Sequence, residues 1–173
     1  LLIDVGVETY SKKTFSPQRY EIWTMQSGWH NLPQFDPDGA KYDQQPGAAF
    51  AAADVTVTDA LDGLAMDLAP AYGSVPGLGR YRRSVHLTDT GLTLHDETDY
   101  PGTVALTLMS VEKPTVDGDT VAFGALAAAA VTGADKIVTE AVPIADPRLR
   151  QAWPGTLYRT RIYFTQQLSL VIE

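Results

Sequence analysis

The chain has 173 residues, 45% of them hydrophobic and 20% charged, with a formal net charge of −8. This length and composition suit one domain, residues 1–173, with its own core, and the acidic balance argues against nucleic acid as a partner, which calls for a basic face. The lack of cysteine excludes disulfides and thiolate metal ligands, while 13 Lys+Arg still allow a local basic cluster that could attract an acidic polysaccharide.

The first 47 residues differ in kind from the rest. Leu1-Leu2-Ile3 opens as a strand-like apolar run without an initiator Met, which reads as a piece cut from a longer protein. Asp4, Tyr10, Arg19, Tyr20, Trp23, Trp29, His30 and Asn31 then crowd into a loop-like stretch with little periodicity, a composition suited to a binding surface. Tyr20-Glu21-Ile22-Trp23 reads as a short strand that would send Trp23 into the core. Asp4 interrupts an apolar run, and a buried carboxylate there would need a metal, an arginine or N–H donors; it could equally be a turn former before Gly6. His30 is either a ligand or a hydrogen-bonded anchor of its loop. Asp and His suit zinc, but a tetrahedral site needs more than two protein groups.

Beyond Gly47 the pattern is β throughout. Strands are expected over 53–58, 61–68, 80–87, 92–97, 104–112, 120–124, 136–142, 157–164 and 167–172, with 125–131 a further strand or a tight bend and one helical turn near 146–151. The turn at 88–91 sets a register that pairs Leu87 with Leu92, Val85 with Leu94, Arg83 with Asp96 and Arg82 with Glu97, matching apolar faces and opposite charges at once. His86 and His95 fall on the outer face of this hairpin. The whole reads as an all-β, antiparallel, multi-stranded sandwich with little helix, under about a tenth of its residues. No Gly-rich phosphate loop, His-Glu-x-x-His helix or Gly-x-Ser-x-Gly elbow is present. The apolar run 124–131 is too short to cross a bilayer.

The order Leu2-Ile3-Asp4-Val5-Gly6-Val7-x-x-Tyr10, then Arg19-Tyr20-x-Ile22-Trp23-Thr24-Met25-Gln26-Ser27-x-x-His30-Asn31-Leu32-Pro33 and a later Gln45, resembles the β-sandwich portion of heparinase II/III-like polysaccharide lyases. The resemblance covers about the first quarter of the chain. It implies a parent enzyme that joins an N-terminal α/α toroid to this sandwich and cleaves an acidic, uronate-containing polysaccharide or oligosaccharide by β-elimination. It also implies zinc held by Asp4, by His30 and by a second histidine from a motif that this chain lacks. The main catalytic tyrosine would belong to the toroid, so this piece would be inactive alone. Tyr10, Arg19, Tyr20, Trp29 and Asn31 are the substrate-facing candidates, expected together near His30 on one concave face or rim. A non-catalytic carbohydrate-binding or structural sandwich, with aromatics stacking on sugar or packing inside, is the competing expectation.

Overall fold

A computed structural model describes residues 2–173. It is built almost wholly of antiparallel strands: β1 (Pro33–Phe35), β2 (Ala53–Val57), β3 (Gly63–Asp67), β4 (Tyr81–Leu87), β5 (Leu92–Thr98), β6 (Val104–Ser110), β7 (Pro114–Asp117), β8 (Thr120–Phe123), β9 (Ala127–Thr132), β10 (Lys136–Pro143), β11 (Thr156–Phe164) and β12 (Gln167–Ile172). One sheet of eight runs β2-β3-β4-β5-β12-β9-β8-β7, and a sheet of four runs β1-β6-β11-β10. The sole α-helix among the described residues is α1, Leu149–Ala152, where one helical turn is expected. The all-β sandwich architecture is as the alternation predicts, and the 125–131 run resolves into a strand.

The two sheets share a core. Leu106 and Leu108 of β6 and Ile162 and Phe164 of β11 face Leu168, Leu170 and Val131 of the large sheet. At one end Phe35 stacks edge-on against Tyr72, Tyr81 and Tyr100, with ring centroids 4.9, 5.5 and 5.2 Å away. Such contacts add about 0.5–1.5 kcal/mol each beyond buried area.

The β4–β5 hairpin adopts the expected register, with Leu87 opposite Leu92, Val85 opposite Leu94, Arg83 opposite Asp96 and Arg82 opposite Glu97. Its inner charges form a buried fork: Arg83 Nε and Nη2 donate to Asp96 Oδ1 and Oδ2 at 2.7 and 2.6 Å, and the Tyr81 hydroxyl donates to Oδ2 at 2.6 Å. Burial alone would lower the pKa of Arg83, but the Asp96 carboxylate outweighs it and raises it. The cross-strand Arg82–Glu97 pair is different: Glu97 bonds Arg80 Nη2 at 2.5 Å, diagonally across the ladder.

The large sheet is wider than the small one. Cross-strand neighbours Leu170, Leu94, Val85, Leu64 and Val57 form one row on its inner face. Along this row exposure climbs from 0% at Leu170 to 36% at Leu64 and 56% at Val57, where no opposing strand lies. Outermost β2 is broken by a register shift between Ala53 and Thr56, with Asp54 at φ 49°.

The small sheet, in contrast, is covered on both faces. Of the strand expected over 1–3, Leu1 lies outside the described residues, and Leu2 makes only an isolated bridge to Ser110. Nor is 20–23 a strand, because Pro17–Glu21 and Trp23–Met25 are 3-10 turns. Pro17 supplies the φ for the first turn, and the Ser16 side chain caps it by accepting from Gln18 N. This irregular segment, residues 2–32, lies over the outer face of β6 and β11, where Val5, Met109, Val142, Ile144, Leu149 and Leu157 form a second apolar cluster beneath Trp23, Trp29 and Trp153. Trp23, expected in the core on a strand, is instead half-buried and packs from a 3-10 turn against the edge of this second cluster.

Asp146 staples the same segment: it accepts from Thr9 N at 3.1 Å and from Arg148 N and Leu149 N at 3.0 Å. Desolvation works against its ionised form, but these N–H donors prevail and lower its pKa. A folded-state value below the unfolded one contributes stability that is present above the unfolded pKa, about 3.9, and lost as pH falls through the folded value. The denaturation midpoint should therefore drop as pH falls below about 4, and Asp146→Asn should flatten part of that drop. An acid limb identical in the variant would remove Asp146 from the account.

Candidate functional site

Each piece of the segment is fixed to the small sheet by a few polar bonds. β1 pairs with only the first half of β6, Val104 to Leu106, and Ile3 N bonds Met109 O at 2.9 Å further along. Asn31 closes the interval. Its Oδ1 accepts from Met109 N at 2.8 Å and its Nδ2 donates to Ile3 O at 3.0 Å, so the side-chain amide stands in for a strand's peptide group. Arg83 Nη1 then donates to Asn31 O at 3.0 Å and ties the segment to the buried fork of the large sheet. Asn31 is thus a bracket within the fold, turned to backbone partners on both of its amide atoms.

Asp4 and His30, chosen from sequence as a metal pair, meet directly: His30 Nδ1 lies 2.7 Å from Asp4 Oδ2, and Asp4 Oδ1 accepts from Gly6 N at 2.9 Å. His30 Nε2 lies 3.1 Å from the Thr24 carbonyl. Both of the ring's neighbours are acceptors, so the two bonds coexist when both nitrogens carry protons. Partial burial opposes the ionised form of Asp4, but the bonds from His30 and Gly6 outweigh it and lower its pKa. Both readings open at the sequence level, turn former and loop anchor, are realised. As ligands the two side chains would offer one carboxylate oxygen and one imidazole nitrogen to a zinc ion, which would take the place of the proton between them. No group of three His, Cys, Asp or Glu residues lies close enough together among the described residues to hold a metal ion.

Beside this pair a cleft of about 450 Å³ opens between the segment and the outer face of β11. Tyr20, Met25 and Trp29 form one side, the loop residues Pro37, Lys41 and Asp43 another, and Arg159 and Arg161 the floor. A second chamber of about 320 Å³ shares Tyr20 and Met25 and reaches His30. Gly28 leaves room where the walls meet: a Cβ there would lie 2.6 Å from Gln34 Nε2 and 2.9 Å from Asp43 Oδ1 and would displace these side-chain ends. With no Cβ in the way, Gln34 donates to Asp43 at 2.9 Å within the cleft lining.

The floor is strongly ordered. Arg159 stacks on Trp29 with its guanidinium carbon 3.6 Å from the ring centroid, donates through Nη1 to Gly28 O at 3.1 Å, and through Nε to Glu140 at 2.5 Å. Burial lowers its pKa and Glu140 acts against that; arginine remains cationic regardless. Trp29 in turn meets Trp23 edge-on at 5.2 Å.

The remaining candidates separate. Tyr20 and Trp29 line the cleft. Arg19 sits outside it against the Tyr20 ring, 5.4 Å from its centroid, and also approaches Met25 Sδ at 3.9 Å. Tyr10 stands apart with Phe15 and Arg148, its ring 5.6 Å from the former and 4.6 Å from the guanidinium carbon of the latter. His95 bonds Ser169 at 2.8 Å in the large sheet.

Arg159, Arg161 and Lys41 were not among the candidates drawn from sequence. The available signal was the alternation Leu157, Arg159, Arg161, Tyr163, which puts two guanidinium groups on one face of a strand with apolar neighbours. No protein-family model matches this chain, and the curated proteins contain no match to it. No described helix is long and apolar enough to cross a membrane.

Proposed function

We propose that this chain is the β-sandwich portion of a heparinase II/III-like polysaccharide lyase, and that its cleft receives an acidic, uronate-containing glycan. The observation that carries the reading is the cleft itself, in which Tyr20 and Trp29 stand beside Arg159, Arg161 and Lys41, next to the Asp4–His30 pair. Aromatic faces suit the apolar faces of sugar rings, and guanidinium groups suit carboxylate or sulfate oxygens. Arg159, Arg161 and Lys41, set against Asp43 and Glu140, leave the cleft with a small local excess of positive charge within a chain of net charge −8. In β-elimination a base removes the C5 proton of the uronate, and an acid protonates the departing glycosidic oxygen. An α/α toroid in the same parent protein would supply the principal tyrosine, with zinc, where bound, held partly by Asp4 and His30. Its contribution would be structural order at the edge of the cleft.

A non-catalytic glycan-binding sandwich is favoured by one observation: His30, the sole histidine at the cleft, has both ring nitrogens engaged. The two readings divide on one assay. The full-length parent, incubated with a panel of uronate-containing polysaccharides, should form the conjugated double bond of the unsaturated product, whereas residues 1–173 alone should form none. Binding without product by the full-length protein would select the binding module.

On either reading Tyr20→Ala should weaken retention of an acidic oligosaccharide roughly threefold to tenfold, leaving thermal stability nearly unchanged. Equal retention by wild type and variant would take Tyr20 out of the binding surface.

A further inference from the structure

The arginines on the cleft floor are unequally satisfied. Arg159 is committed to Trp29, Gly28 and Glu140. Arg161, two residues along the same strand face, has a buried Nε with no hydrogen-bond partner. The nearest carboxylate, Glu140 Oε1, lies 3.9 Å from that nitrogen, too far for a hydrogen bond, and is already bonded to Arg159. Two guanidinium groups therefore share one carboxylate at the floor of a cleft that accommodates a sugar ring. A buried N–H left unpaired costs about as much as the bond it lacks, but this Nε is out of a ligand's reach; the groups a ligand in the cleft can meet are the two Nη, for which the described residues supply no hydrogen bond.

We infer that Arg161 is the specificity-determining residue of the cleft, its guanidinium being the docking point for one oxyanion group, carboxylate or sulfate ester, carried on a sugar ring. The edge of a guanidinium presents parallel N–H donors that match two oxygens of such a group. Arg159, held by its stack and its bonds, fixes the shape of the floor and leaves Arg161 to accept the charge. Lys41 on the facing loop adds a cation near the mouth without a fork of its own. The inference rests on the reading of the cleft as a glycan surface, and it adds which residue distinguishes a charged sugar from a neutral one.

The test follows the arginine Nε–H resonances of the chain by NMR during titration with sodium glucuronate, with glucose 6-sulfate and with methyl glucoside. The Arg161 resonance should move and saturate with one or both charged sugars, and the charged sugar giving the larger response identifies the group. Methyl glucoside should leave it in place. Arg161→Gln should weaken binding of that sugar about tenfold or more, and Arg161→Lys should restore only part of the loss, since charge without the fork is insufficient. Unchanged melting temperatures in both variants would exclude misfolding as the cause.

Undiminished charged-sugar binding in Arg161→Gln, or full restoration by lysine, overturns the inference, as does an equal response to methyl glucoside. The two proposals fail separately. Arg161-dependent binding of the charged monosaccharide, in a chain whose full-length parent forms no unsaturated product, sinks the lyase reading and leaves this one. Polysaccharide retention that ignores Arg161→Gln does the reverse.

Discussion

Asp96→Ala should cost about 3–5 kcal/mol of stability, the largest loss expected from any single substitution in the hairpin. Asp96 is fully buried and Arg83 nearly so, with side-chain exposures of 0% and 8%. Removing the carboxylate leaves a guanidinium in the core with no counter-charge and the Tyr81 hydroxyl without its acceptor. That loss is a large share of the total stability of an ordinary domain. Chemical denaturation should show a lower midpoint in the variant or no folded baseline at all. Replacing both partners by apolar residues of similar volume, Arg83→Met with Asp96→Leu, should recover much of the loss, because the penalty lies in the unpaired charge. A variant Asp96→Ala with a wild-type midpoint would mean that water reaches Arg83.

The second large effect is expected at Asn31, through the segment that shapes the cleft. Asn31→Ala removes the acceptor of Met109 N and the donor to Ile3 O. The cost should be about 2–3 kcal/mol, mostly for the backbone groups left unpaired. Because Asn31 bonds backbone on both sides, the loss should fall on the cover of the small sheet. Hydrogen exchange at Ile3 and Met109 should accelerate ahead of the β4–β5 hairpin, and glycan retention should fall with it. Loss of retention with unchanged exchange would show instead that Asn31 touches the ligand.

These two residues also show how far the sequence could be read. The Arg83–Asp96 pairing was legible because strand alternation, turn position and opposite charges all demanded one register. The same local logic fails for 2–32. Its turns form on short-range signals such as Ser16-Pro17, but its course is set by the outer face of β6 and β11, more than 70 residues away in the chain. Tyr20 and Trp29 at one cleft could be anticipated, since those residue types suit an irregular surface, and Asp4 beside His30 is what the lyase resemblance implies. Asn31 as a peptide mimic could not, because nothing in its neighbours reveals the interval in the edge of β6 that it fills. Arg161 was equally hidden: on a strand, a charged residue at alternate positions reads as solvent-facing until the cover of that face is known.

The overhang of the large sheet has a consequence for handling the protein. Its inner row ends in exposed Leu64 and Val57, beside an outermost strand whose backbone is open to pairing. Such a margin invites sheets of separate molecules to join edge to edge. The kink at Asp54 spoils that template, placing a charge and an interrupted ladder where a flat strand would recruit another. Colloidal behaviour would then hinge on a residue remote from the cleft. A regularised edge at Asp54 would first be seen as clouding of concentrated samples, with monomers in dilute solution still correctly folded.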